Sequence, residues 1–325
     1  MKAVRIHSDG GPEVLQYEDA PDPEPGPDDV LIELRAASLN HLDVWIRKGL
    51  PSVPKPRILG ADGAGVVVSG EGFEPGERVV INPGIELDNG TIDVVGEHSD
   101  GTHAELIVVP RAQVYAIPDG LTFDEAAAFP LVFETAYRML VTKARLAPEE
   151  WVLVWGIGGG VSTAVLSIAK ALDAFVIVTS SSEEKLERAR ELGADAALNH
   201  EDDDVVSIVK DLTGGGAHVV VDHVGEATWV RSLNAARLDG RVCVCGATTG
   251  PNPPANLHRI WWKQLTIYGS TMGTREDFEA VYELVGAGKA KPVIDEVFPL
   301  AEAAAAHERL ERGEQLGKII LRISE

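Results

Sequence analysis

Two stretches of this chain bring together residue types that do chemistry. The first is SLNHLDVW, residues 38–45, where Asn40, His41 and Asp43 stand within a frame of Leu39, Leu42, Val44 and Trp45. Polar, ligand-capable groups in an apolar frame are costly to bury unless they are paired or used. A metal site, an organic-ligand site and a helix cap all fit that composition. The second stretch is GIGGGVS, residues 156–162. Gly156, Gly158, Gly159 and Gly160 lie between an apolar run, WVLVW, and a segment of helical spacing. Backbone bare of side chains can approach a pyrophosphate there, and a helix N-terminus offers free N–H groups and positive dipole. Val161 takes the last glycine position of a strict G-x-G-x-x-G, whereas Gly156, Gly159 and Ser162 fit G-x-x-G-x-x-small. In this strand–turn–helix context the turn reads as a dinucleotide cradle, with a purely structural turn as the alternative.

Dinucleotide sites for NAD carry an acidic residue about 20 positions further on, where it binds the ribose 2′-hydroxyl. This chain reads TSSS at 179–182. Serine hydroxyls with Lys185 nearby accept a 2′-phosphate that a carboxylate would repel, so NADP is the expected coenzyme and NAD the alternative. Glu183 and Glu184 weigh against NADP, or merely complement a helix dipole.

The elements that must position these residues follow two rhythms. Residues 2–6, 30–37, 64–70, 77–82 and 104–110 read as short strands closely punctuated by Gly and Pro, which predicts a small barrel-like domain. Residues 83–103 read as a long surface loop. From residue 123 strands alternate with helical segments: strands at 151–156, 175–180, 219–224 and 241–246, with helices at 161–172, 182–192 and 228–237. Ser181 and Glu184 form a capping-box pattern, and Gly193 a stop. Such alternation predicts a doubly wound parallel sheet, an α/β fold. A chain of 325 residues exceeds what one core usually holds. The expected division is 1–122, completed by 274–325, and 123–273.

Composition narrows the function. Fifty-one acidic residues against 29 basic leave a formal charge of −22. That excludes nucleic acid and anionic membrane as natural partners, since both need positive surface. The acid runs suit either an ordinary solvated face or adaptation to high salt. No apolar stretch is long enough to span a bilayer, the N-terminus lacks the marks of a signal peptide, and Cys243 and Cys245 are the only cysteines. A reduced, cytoplasmic protein is expected.

The segments MKAVRI, ASLNHLDVWIRKG, LGADGAGVV, GERVV, IPDGLTFDEAAAFPLVFETAYRML, the glycine turn, EEKLERARELGAD and GKIIL together resemble the medium-chain dehydrogenase/reductase superfamily. The zinc-independent quinone oxidoreductase branch is the most similar. The resemblance spans nearly the whole chain. It implies a GroES-like β-barrel catalytic domain, completed by the C-terminal segment, and a Rossmann coenzyme domain. In zinc-dependent members a ligating Cys stands where this chain has Asn40, a His-Glu pair where it has Ala61 and Asp62, and a third ligand near 131–133. Catalytic zinc needs three protein ligands, and His41 with Asp62 does not reach that count, so no zinc is expected. His98 and His103 lack partners at metal spacing and read as surface residues.

The resemblance also assigns roles. Asn40 lies beside the nicotinamide and orients ring or substrate oxygen. Asp43 fixes Asn40, or caps the local helix. His41 either donates a proton to reduced substrate or is a bystander. Thr135 touches the nicotinamide end. Gly156, Gly158, Gly159, Gly160 and Val161 hold the pyrophosphate. Ser180, Ser181 and Lys185 meet the adenosine ribose phosphate, with His200 where the branch has a Tyr. Gly246, Ala247 and Ser270 meet the nicotinamide half. Lys318 belongs to the closing motif, either in the site or as a structural residue. The implied reaction is hydride transfer from NADPH to a quinone, enone or enal. The implied assembly is a homodimer paired through the strand within 265–273. An alcohol dehydrogenase with a degenerate metal site and a non-catalytic NADPH binder are the alternatives.

Overall fold

The computed structural model describes residues 1–324. Two compact units result: Met1–Leu131 with Thr274–Phe278 and the chain from Pro292 onward, and Val132–Gly273 with Glu279–Lys291.

The first unit is built on a seven-stranded sheet. Its order is Val114–Ala116, Arg78–Ile81, Asp62–Ser69, Asp29–Ser38, Lys318–Arg322 and Ile294–Pro299, with Leu106–Pro110 also paired to Asp29–Ser38. A separate three-stranded sheet holds Leu15–Asp19, Lys2–Ile6 and Arg57–Ile58. Alternation in the central strand turns Val30, Ile32, Leu34 and Ala36 into one core face, packed with Val67, Val79, Ile81 and Val109. The register matters most at the end of that strand. Ser38 lies opposite Asp62 on one side and opposite Ile320 on the other. Segments far apart in sequence are thus brought to one point by strand pairing alone. The helix Phe123–Ala128 opens with a capping box between Thr122 and Glu125 and buries Ala126, Ala127 and Ala128. It belongs to this unit.

Residues 83–103 are not a plain surface loop. They contain a hairpin, Gly84–Glu86 with Ile92–Val94, and end in a buried stretch. Thr102 and His103 are both fully buried, so the expected exposure of His103 is corrected. The cause is backbone packing: His103 N–H donates to Leu59 O, Thr102 N–H to Gly60 O, and Thr102 Oγ1 to Asp62 O at 2.8 Å. Gly101 permits that approach, since a Cβ there would sit 2.3 Å from Gly60 O. His98 stays partly exposed beside Asp93.

The second unit carries a six-stranded parallel sheet. Its order is Ala196–Asn199, Phe175–Ser180, Trp151–Val154, Ala217–Asp222, Ala236–Val244 and Thr266–Gly269. The central strands read as unbroken apolar runs because both faces are covered by helices. Leu153, Trp155, Ile177, Val220, Leu233 and Val242 make one core on one face. The direction of winding reverses between Trp151–Val154 and Ala217–Asp222, and ligands of such sheets bind at the carboxyl ends beside that reversal. The helix after the second strand spans Glu183–Glu191 and is capped by Ser182, whose Oγ accepts from Lys185 N–H. The expected cap, Ser181, is one residue too early, because Ser182 N–H is itself held by Ser180 Oγ at 3.1 Å. Cys243 and Cys245 are free thiols, and Cys243 Sγ contacts Met139 O.

Candidate active site

In the first unit a buried polar network surrounds Asp62. Its Oδ2 accepts from Ser38 Oγ at 3.0 Å, Asn40 Nδ2 at 2.8 Å and Lys318 Nζ at 2.9 Å, and its Oδ1 accepts from Leu131 N–H at 2.8 Å. Lys318 Nζ also donates to Asn40 Oδ1 at 2.5 Å. Lys318 is only 3% exposed and Asp62 0%. Two opposite charges are therefore held out of water with four donors on the carboxylate, the condition under which a buried ion pair is tolerated. The network also fixes the Asn40 amide. Its oxygen is taken by Lys318 and one N–H by Asp62, which decides the orientation of the amide.

Asp43 stands behind this network and locks the turn that carries Asn40. Its Oδ2 accepts from Asn40 N–H at 2.8 Å and its Oδ1 from Gly60 N–H at 3.0 Å. Burial pushes its carboxyl up to about 7, against the pull of these two N–H groups and of Lys318. His41, the first residue of the helix His41–Arg47, is exposed. His103 and His307 lie nearby as a buried edge-on pair with ring centroids 6.2 Å apart. Burial and Lys318 hold His103 down to about 3, so that ring is neutral.

These residues do not fit a catalytic zinc. The positions that the resemblance pairs with zinc ligands hold the Asn40 amide, Ala61, the Asp62 carboxylate and, at 131–133, only apolar side chains, and the Lys318 ammonium is already seated between Asn40 and Asp62. A cation site needs lone pairs converging on open space, and here they converge on an ammonium. Among the described residues no group of three His, Cys, Asp or Glu could hold a metal ion.

The second unit offers the nucleotide cradle. Gly156 takes φ of +68°, a conformation glycine adopts without strain, and its N–H donates to Thr179 Oγ1 at 3.1 Å. Gly158 N–H donates to Ser162 Oγ, while Gly159 caps the helix Gly160–Ala171 with no side-chain bond. The first N–H groups of that helix, from Gly160, Val161 and Ser162, have no intrahelical partner and are free for a phosphate. A side chain at Gly159 would meet nothing nearer than Ser162 Oγ at 4.0 Å, so the approach is open. A dinucleotide fits this turn.

At the end of the second strand Ser180 is buried and Ser181 exposed. Lys185 lies in the first turn of the helix they precede. His200 N–H donates to Ser180 O, and His200 Nδ1 lies 3.4 Å from Thr179 Oγ1. Gly246 and Ala247 follow the fifth strand, with Gly246 against His223 O. Ser270 N–H donates to Val244 O, while its buried Oγ has no protein partner. Thr135 is buried on the helix Pro130–Tyr137.

The structure places Asp43 against the Asn40 backbone and His200 beside Ser180, and it adds Thr179, which the sequence reading had not singled out. Sequence reasoning missed Asp62 as the centre of the first network, reading it only as a defective metal ligand. It left Lys318 undecided because 278 residues separate it from Asn40. The signal was present, however: a lysine in an otherwise apolar strand, GKIIL, needs a buried anion.

Two outcomes test the network. Lys318→Met leaves the buried Asp62 without its counter-charge, and equilibrium denaturation is expected to show a loss of about 3–5 kcal/mol. Adding Asp62→Asn to that variant should recover most of the loss. Asp43 titrates near 7 when folded and near 4 when unfolded, so its stabilising proton is fully present below about pH 4 and lost as pH rises to 7. In Asp43→Asn that dependence is expected to vanish, flattening urea-unfolding stability between pH 4 and 7 relative to wild type.

Comparison with known proteins agrees with this geometry. The family profile of the alcohol dehydrogenase GroES-like domain matches residues 26–119, and that of zinc-binding dehydrogenases matches residues 160–287. A quinone oxidoreductase of Pseudomonas aeruginosa is 33% identical over 335 residues, covering 98% of this chain and 99% of the relative. A solved NAD-dependent alcohol dehydrogenase is 43% identical, with a TM-score of 0.96 over 100% of both chains. A 2-octenoyl-CoA carboxylase reductase, solved with NADP and 2-octenoyl-CoA, is 27% identical with a TM-score of 0.92, covering 99% of this chain and 87% of that one. With its mainly antiparallel first unit, its doubly wound second unit and its glycine turn, the chain belongs to the medium-chain dehydrogenase/reductase superfamily of NAD(P)H-dependent oxidoreductases.

Proposed function

We propose that the protein reduces a quinone or an α,β-unsaturated carbonyl with NADPH and without a metal ion. The observation that carries this reading is the Lys318 ammonium bound to Asn40 Oδ1 and Asp62 Oδ2, at the positions from which metal-dependent relatives draw their ligands. Bound NADPH supplies the hydride. The chain's own task is to bind, orient and exclude water. Asn40, with one N–H left over, is assigned to the acceptor oxygen, and Asp43 holds its backbone. Thr135, Gly246, Ala247 and Ser270 are assigned to the nicotinamide half. His41 is available for a proton, but a reduced quinone can also take its protons from water. The TSSS segment with Lys185 supports NADP.

Likeness to an NAD-dependent alcohol dehydrogenase favours a second reading, alcohol oxidation with NAD. One experiment separates the two. Purified protein is assayed with NADPH and NADH against quinones, enones and enals, and with NADP and NAD against alcohols, from low to molar KCl, alongside metal analysis by mass spectrometry. Quinone or enone turnover with NADPH and sub-stoichiometric zinc is expected. Alcohol turnover with NAD and one zinc per chain would replace the proposal.

The strand Thr266–Gly269 is the edge of the parallel sheet. Ile267 on it is 37% exposed, and Trp261 and Trp262 on the preceding helix are 60% and 62% exposed. Bare edges and apolar patches of this kind suit a second copy pairing across a two-fold axis. Ile267→Asp is expected to shift the protein from dimer to monomer in sedimentation velocity; a monomeric wild type would refute the dimer.

A further inference from the structure

The carboxyl ends of three neighbouring strands, 196–199, 175–180 and 151–154, meet around His200, Ser180 and Trp155. Arg231 lies there, although its own helix, Trp229–Ala235, follows the fourth strand. Its guanidinium sits 4.7 Å from the centroid of the Trp155 ring, and its Nη2 donates to His200 O at 3.3 Å. Trp155 is the residue just before the Gly156 turn, and its indole N–H is held by Ser232 Oγ at 2.7 Å, which in turn donates to Asp222 Oδ2 at 2.6 Å. The aromatic platform under Arg231 is therefore rigid, and stacking on it leaves the edge of the guanidinium fork free. Arg231 makes no ion pair with a carboxylate among the described residues. In a chain with a charge of −22 such an unneutralised cation beside a ligand crevice calls for an anion.

We infer that Arg231 supplies the cationic contact for the 2′-phosphate of the adenosine half of the coenzyme, with His200 as an uncharged donor beside it. The inference rests on the NADP reading above. The division of roles follows from the surroundings of His200. Burial and the Arg231 charge hold the imidazole below its ordinary range, outweighing the pull of Glu201, so the ring is neutral near pH 7. Thr179 Oγ1 already accepts from Gly156 N–H. In the tautomer in which Thr179 Oγ1 donates to His200 Nδ1, 3.4 Å away, the ring hydrogen sits on Nε2 as a donor without charge. Ser181 adds a hydroxyl and Lys185 a second ammonium, while Glu183 is engaged by Arg190. Glu184 and Glu201 oppose the anion. Arginine is the side chain suited to a phosphate here, because its fork binds two oxygens at once.

The test is equilibrium binding of adenosine 2′,5′-bisphosphate and adenosine 5′-monophosphate to the full-length protein by calorimetry, which needs no acceptor and no turnover. Wild type is expected to prefer the bisphosphate. Arg231→Gln should weaken the bisphosphate roughly 10- to 100-fold, the range of a charge-assisted contact, and leave the monophosphate within about 2-fold. Arg231→Lys, which keeps the charge but not the two-pronged fork, should weaken the bisphosphate less than Arg231→Gln does, and it keeps the test decisive if Arg231→Gln does not fold. A wild type that binds both ligands equally overturns the NADP reading. A wild type that discriminates while Arg231→Gln, or Arg231→Lys where only that variant folds, discriminates as well overturns the role of Arg231 and leaves the NADP reading standing.

Discussion

The first unit depends on one ammonium ion buried against one carboxylate. Lys318 and Asp62 are both removed from water, and neither charge would be tolerated there alone. Everything around them can be read as a consequence. Ser38, Asn40 and the Leu131 N–H satisfy the remaining lone pairs of Asp62, and Asn40 is held with its amide orientation decided. The N–H groups of Asn40 and Gly60 are then fixed from behind by Asp43. A rotamer change at Asn40 would break two charge-assisted bonds at once, so the amide presents one direction only. Such rigidity is what a positioning group requires.

Under the metal-free reading proposed above, the ion pair would orient an acceptor through the Asn40 amide, whereas a metal polarises an acceptor directly. Orientation of that kind would suit quinones and conjugated carbonyls, the acceptors of that proposal.

In the second unit a single hydroxyl has a comparable place. Thr179 Oγ1 ties the Gly156 turn to His200, so the phosphate cradle and the adenosine end are set by one side chain on the second strand. Asp222 does the same on the other side of the reversal point. Its Oδ1 accepts from the N–H groups of Val224 and Gly225, and Ser232 links its Oδ2 to Trp155. The hydroxyl of Thr179, the carboxylate of Asp222 and the hydroxyl of Ser232 are each bonded to more than one group, which leaves little freedom to the loops they anchor.

Local pattern carried much of this. The alternation in VLIELRAA, the unbroken apolar strands and the glycine turn follow from short-range sterics and burial, and they were legible as a doubly wound domain joined to a small β domain. The pairing of Asn40 with Asp43 was legible too, because three residues on one helix turn bring them together. Asp62, Lys318 and Arg231 were not. Each acquires its meaning from a partner brought close by strand register or by packing across a sheet: Lys318 through Ile320 opposite Ser38, Arg231 through Trp155 beneath its guanidinium. His103 was read as exposed because nothing in its neighbours announces that backbone bonds to residue 59 will bury it. Sequence by itself determined which elements form, since periodicity and turn chemistry act over a few residues. Only the tertiary structure decided which charges meet, because electrostatic pairing depends on distance in space, and the strand register sets that distance.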